Sequence, residues 1–131
     1  MRTALVAVAT LFLLCAAQVR GDDSGETPRK PAFVSLREAV TFISFCLERA
    51  DRATLARACL DDGGSLASAV FTQLQQAHKE VPFVTRYEKR EFPADAETFT
   101  LGGHGSELGH IHIDFVKRSG KWRISRIWMC R

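Results

Sequence analysis

This chain is poor in the features that announce a chemistry. Of 131 residues only one is tyrosine, two are tryptophan, two are methionine and four are proline. Lys and Arg together number 18 against 15 Asp and Glu, a formal charge of only +3. That lack of basic excess excludes the electrostatic footprint of a nucleic-acid-binding domain. No apolar run reaches the ~20 residues that span a bilayer. There is no internal repeat, no low-complexity tract and no dinucleotide fingerprint, so the sequence implies no cofactor. Gly102-Gly103-His104-Gly105 reads as a turn or bulge, because no helix follows it to make an anion site.

What is present begins with an address. Met1-Arg2 precedes Ala4–Ala17, a stretch apolar except for Thr10, and Val19-Arg20-Gly21 supplies the residues a signal peptidase reads. Residues 1–21 are therefore expected to be a signal peptide cut after Gly21, with an uncleaved anchor as the alternative. Removing Arg2 and Arg20 leaves 16 basic against 15 acidic residues, a charge of +1. Arg outnumbers Lys and Ala is common, as in GC-rich bacterial genomes. The expected location is the periplasm or the exterior. Residues 22–32, with Gly25, Pro28 and Pro31, read as a disordered tether, and 33–131 as one domain.

Three cysteines follow the signal segment: Cys46, Cys59 and Cys130. An odd count in an exported chain allows one disulfide and one free thiol, or an intermolecular bridge. All three pairings stay open, with Cys46–Cys59 favoured because both lie on neighbouring predicted helices. A catalytic cysteine needs a thiolate-stabilising neighbour, and none of the three has a histidine close in sequence.

The pattern from Phe33 to Glu80 is helical. Ser35-Leu36-Arg37-Glu38 is a capping box, and Leu36, Val40, Ile43, Leu47 and Ala50 recur at helical spacing behind it. Asp51 restarts a short helix through Leu55 and Cys59. Ser65 is placed to cap a third helix carrying Leu66, Val70, Phe71, Leu74 and Ala77. From Pro82 onward the pattern reads as strand. Phe83–Phe92, rich in charge, suits an edge strand, and Glu97–Leu101 alternates. Gly109–Lys117 and Trp122–Cys130 form a hairpin turning at Ser119-Gly120. An uninterrupted ladder sets Phe115 against Ile124, Ile113 against Arg126 and Ile111 against Trp128. Its apolar face then holds Ile111, Ile113, Phe115, Trp122, Ile124, Trp128 and Cys130, with Arg126 in the middle. His110, His112, Asp114, Val116, Arg123, Ser125, Ile127 and Met129 point away. The expected class is α+β: about three N-terminal helices on a four-stranded antiparallel sheet.

Leu36-Arg37-Glu38-Ala39-Val40 through Leu47, Asp51 and Leu55 resembles the helical opening of nuclear-transport-factor-2-like (cystatin-like) proteins. Lys117-Arg118-Ser119-Gly120-Lys121-Trp122-Arg123-Ile124 resembles their closing hairpin. The resemblance implies a curved, cone-like sheet around helices, often with an apolar pocket at the wide end. It transfers no catalytic residue. The isomerase-like members use an Asp base with a Tyr–acid pair, the dehydratase-like members a His–Asp pair with tyrosines, and the single tyrosine here, Tyr87, matches neither.

Two groups of residues invite a site. His110, His112 and Asp114 repeat an alternate spacing that places two imidazoles and a carboxylate on one side of a strand, where they could share a metal; His104 and Glu107 lie just upstream. The competing reading is a solvated outer face or a dimer contact. Arg126, with Trp122 and Trp128, could bind an anionic or carbonyl-bearing ligand in the cone, or simply pack its stem on the indoles. The expected function is an exported, non-enzymatic module that binds a small molecule or a protein. A homodimer through Val116, Ile127 and Met129 is one form of it. The alternatives are a pocket enzyme of isomerase or hydrolase type, and a metal-binding protein using His110 and His112.

Overall fold

The computed structural model describes residues 30–61 and 66–130. The expected signal segment, most of the expected tether and Ser65 lie outside the described residues. Among the described residues four helices precede three strands: α1 (Leu36–Glu48), α2 (Arg52–Ala58), α3 (Ser68–Glu80), α4 (Phe83–Arg86), β1 (Thr98–Gly102), β2 (Ile111–Arg118) and β3 (Lys121–Met129). The sheet is antiparallel in the order β1-β2-β3. The α+β class stands, but the four-strand, three-helix count does not.

The opening of α1 follows from its sequence. Ser35 Oγ accepts from Glu38 N–H at 3.1 Å, and the Glu38 carboxylate accepts from Val34 N–H at 2.7 Å. The box thus closes one residue earlier than the usual form. At the other end Ala50 takes a left-handed φ of 54°, while Asp51 N–H reaches Cys46 O and Ala50 N–H reaches Leu47 O. This is a Schellman stop with alanine where glycine is usual. Asp51 then caps α2, its carboxylate accepting from the Thr54 amide and hydroxyl. These two bonds lead the causes that hold the Asp51 carboxyl below its ordinary range. The third helix starts at Ser68, with Ala67 at the cap and no side-chain bond there.

The missing strand is the segment Phe83–Phe92. Its first turn is helical because Phe83 and Tyr87, four apart, both go into the core, where their rings meet edge-on at 5.7 Å. Its later carbonyls are taken by a side chain rather than a ladder. Arg37 donates to Tyr87 O, Glu88 O and Arg90 O, and its guanidinium lies over Phe92. His78 holds the segment's entry. Its Nδ1 accepts from Phe83 N–H at 3.1 Å, which leaves the proton on Nε2, facing Glu48 at 2.6 Å. One buried imidazole therefore ties α1, α3 and α4 together.

The core lies between the helices and one face of the sheet. Leu101, Ile111, Ile113, Phe115, Trp122, Ile124 and Ile127 supply the sheet side. Leu36, Ile43, Leu47, Leu55, Leu74 and Phe83 supply the helical side. The hairpin's alternation holds up to Ile124 and then breaks. Phe115 pairs with Ile124 as expected, but Asp114 pairs with Arg126, Ile113 with Ile127, His112 with Trp128 and Ile111 with Met129. Ser125 is an extra residue, a β-bulge that reverses the facing of everything after it. Arg126 and Trp128 are thereby moved off the apolar face, and Ile127 is moved onto it, 3% exposed. The bulge is fixed from outside the hairpin: Asp61 N–H donates to Ser125 O at 3.0 Å, and Leu60 N–H to Ile124 O at 2.9 Å.

Deleting Ser125 removes the bulge but keeps the pairing on both sides of it, Phe115 with Ile124 and Asp114 with Arg126. What is lost is the carbonyl to which Asp61 N–H donates, so the variant is expected to lose about 0.5–1.5 kcal/mol of stability in urea unfolding, the net worth of one hydrogen bond. A variant as stable as the parent would show that the bulge and its bond to Asp61 are dispensable.

Candidate functional site

The bulge assembles a polar cluster on the outer face of the sheet. Cross-strand rows stack there as Thr100–Asp114–Arg126 and Gly102–His112–Trp128. Asp114 is the hub. Its Oδ1 accepts from Thr100 Oγ1 at 2.8 Å, and its Oδ2 from Arg126 Nε at 3.0 Å and Trp128 Nε1 at 2.8 Å. Partial burial works to raise its pKa. The bonds from Thr100, Trp128 and Arg126, with the Arg126 charge, outweigh that and hold the carboxyl below its ordinary value. A carboxylate so well satisfied is a poor proton acceptor and a poor base.

Trp128 is the platform. The His112 imidazole stacks on it at 4.2 Å with 13° between the planes, and the Arg126 guanidinium lies 4.4 Å from the indole centroid. Gly103, with φ 103°, closes over His112: a Cβ there would stand 3.2 Å from His112 Cε1. His112 Nε2 is buried and has no protein partner among the described residues. The imidazole is held as an aromatic slab.

These placements separate both of the residue sets expected from sequence. Trp122 is buried on the core face, its N–H and C=O bonded to Phe33, apart from Arg126 and Trp128. His112 and Asp114 share the outer face, but His110 leaves them. It precedes β2 and meets His104 instead, Nδ1 to Nδ1 at 3.0 Å with ring centroids 4.7 Å apart. Cys130 Sγ lies 3.7 Å from His110 Nδ1, and Cys130 N–H donates to His110 O. The thiol without a histidine near in sequence thus has one near in space. The signal was the bulge again, since the one-residue shift sets His110 opposite Cys130 rather than Met129. Cys46 and Cys59 are both buried and do not form the expected disulfide with each other. Cys59 Sγ bonds Leu55 O, and burial, with the Asp51 charge, pushes the Cys46 thiol up to about 11. Thr100 and Gly103, which complete the cluster, carry no signature that sequence alone offers.

The dimer face expected from Val116, Ile127 and Met129 loses Ile127 to the core. A depression of about 470 Å³ lies between the start of α1, Pro93 and the hairpin, with Lys117 and Trp122 in its lining. A cavity of about 220 Å³ between α1 and α4, lined by Arg37, Val40, Thr41, Val84, Tyr87 and Phe92, falls below the ~300 Å³ of ordinary ligand pockets. No described helix is long and apolar enough to cross a membrane. No family model, no curated protein and no solved structure matches this chain.

Replacing Asp114 by Asn sets an amide among three donors. The variant is expected to lose about 1–3 kcal/mol at pH 7. Because the native carboxyl is depressed, its contribution is full above the ordinary carboxylate range and fades as pH falls through the native pKa. Urea unfolding from pH 7 downward should therefore show the gap between parent and variant narrowing below about pH 4. A gap independent of pH would contradict this account of Asp114.

Proposed function

We propose that the chain is an exported binding module without catalytic machinery, which holds a protein partner on the outer face of its hairpin. The observation that carries this reading is Trp128. A tryptophan on the solvent side of a sheet, fixed between an imidazole and a guanidinium, is a pre-ordered anchor of the kind that dominates protein interfaces. Arg126, whose side chain is 48% exposed, stands beside it. Asp114 neutralises that arginine, so the face is amphipathic and does not select by net charge.

Two further features support the reading. Asp114 and Arg126 are spent on one another and His112 is stacked on Trp128, which is unlike a pocket with converging acids and bases. The cavity between α1 and α4, on the far side of the molecule's core from this face, is small for a metabolite, and Trp128 stands on an open surface rather than in a pocket, which suits a protein partner. Export is supported by the signal-like pattern of residues 1–21. Kinship with nuclear-transport-factor-2-like proteins belongs to the same proposal. It is supported by the capped first helix, the Asp51-led second helix and the closing Gly120-Lys121-Trp122 hairpin.

A photo-crosslinking residue at Thr98, exposed on the outer face two residues from Thr100, should trap one discrete partner in the cell envelope of the source organism. Trp128→Ala and Arg126→Ala should each remove that adduct in variants that still unfold cooperatively. An adduct of twice the chain mass would make the partner a second copy. No adduct, or one that survives both substitutions, would overturn the proposal.

A further inference from the structure

The loop between β1 and β2 builds a second feature, independent of the aromatic face. Gly103, Gly105 and Gly109 all hold left-handed φ values, which bend residues 103–110 into a tight excursion. Backbone bonds pin it: Gly103 N–H to Ile111 O at 2.7 Å, Ser106 N–H to Gly103 O and Gly109 N–H to Ser106 O, both at 3.0 Å. Leu108 plugs it into the core. The result is that His104 and His110 are brought face to face at the sheet's end, with Cys130 on the adjoining strand.

We propose that His104, His110 and Cys130 form a binding site for a zinc-class divalent transition metal. One ligand atom from each of the three lies within 4.8 Å of the others. Two of the spacings are 3.0 Å (Nδ1 to Nδ1) and 3.7 Å (Sγ to Nδ1). Bonds of about 2.0–2.3 Å at a tetrahedral angle put neighbouring N and S donors roughly 3.3–3.6 Å apart, so small side-chain adjustments suffice. Two imidazoles and a thiolate are a borderline-to-soft set that favours zinc over magnesium or calcium. All three residues reach solvent, His104 and His110 being exposed and Cys130 half-exposed, so an ion can enter and water can fill a fourth position.

Protons balance as follows. On binding, the Cys130 thiol releases its proton to solvent. The proton shared between the two Nδ1 atoms leaves that position, and each imidazole stays neutral with its proton on Nε2. Binding therefore releases a proton, so affinity rises with pH.

The full chain, reduced and stripped with chelator, should bind Zn²⁺ at one equivalent in calorimetric titration, more tightly at pH 8 than at pH 6. Co²⁺ in its place should give the thiolate-to-metal charge-transfer band in the near ultraviolet. His104→Ala, His110→Ala and Cys130→Ser should each weaken Zn²⁺ at least about tenfold, since even changes behind a ligand cost about 10–100-fold. Cys130→Ser should also abolish the charge-transfer band, whereas His112→Phe should leave both readouts unchanged. The three ligand positions lie at the surface, so their variants should melt with the parent, and a matched melt makes any loss of binding local. Binding that survives all three substitutions, or a Co²⁺ complex without a thiolate band, would overturn the site. Neither result bears on partner capture by Trp128, which is read separately.

Discussion

The amide of Asp61 bonded to the carbonyl of Ser125 governs more of this molecule than any other contact. It holds one extra residue in β3, and that residue decides which side chains are wet. With Ser125 bulged, Ile127 joins Ile113 in the core, Asp114 gains Arg126 as a partner, His112 gains Trp128, and His110 gains Cys130. The bond comes from the chain just beyond α2, so the helical layer sets the register of the sheet's last strand. Local hairpin preference and tertiary packing here point in different directions, and packing wins. Bulges beside functional surfaces commonly serve this purpose of re-aiming side chains.

The first half of the fold was legible because its signals are local. The Ser35 cap, the Asp51 cap and the 3.6-residue recurrence from Leu36 to Leu47 each act within a turn or two. The hairpin turn and the pairing of Phe115 with Ile124 were legible for the same reason. Phe83–Phe92 was misread because its charges resemble an edge strand, although Phe83 and Tyr87 stand one helical turn apart. The donor that decides between the two conformations, Arg37 bonding the carbonyls of Tyr87, Glu88 and Arg90, lies about fifty positions away. No window of sequence contains it.

The site was half legible, and the error had a visible trace. An unbroken ladder left Arg126 inside the core and Ile127 outside it, two costly placements that a single inserted residue repairs together. A buried charge beside an exposed branched aliphatic is thus itself the mark of a slip in register. His110, His112 and Asp114 looked equivalent by spacing. They are not, because β2 begins at Ile111 and His110 belongs to the glycine-shaped loop before it. The carboxylate of Asp114 is satisfied on the outer face, whereas the His104–His110 pair lies apart from it, at the sheet's end.

The two margins of the sheet are treated differently. Along β3, Phe33 exchanges a pair of bonds with Trp122, and Leu60 and Asp61 cover the next stretch, so that margin is plugged by the protein's own backbone. Along β1, among the described residues, no further strand follows Thr98–Gly102. Growth of the sheet by a foreign segment, whether a partner's extended peptide or a misfolded neighbour, accordingly has one door. It is only five residues long, and the left-handed turn at Gly102 shuts its far end.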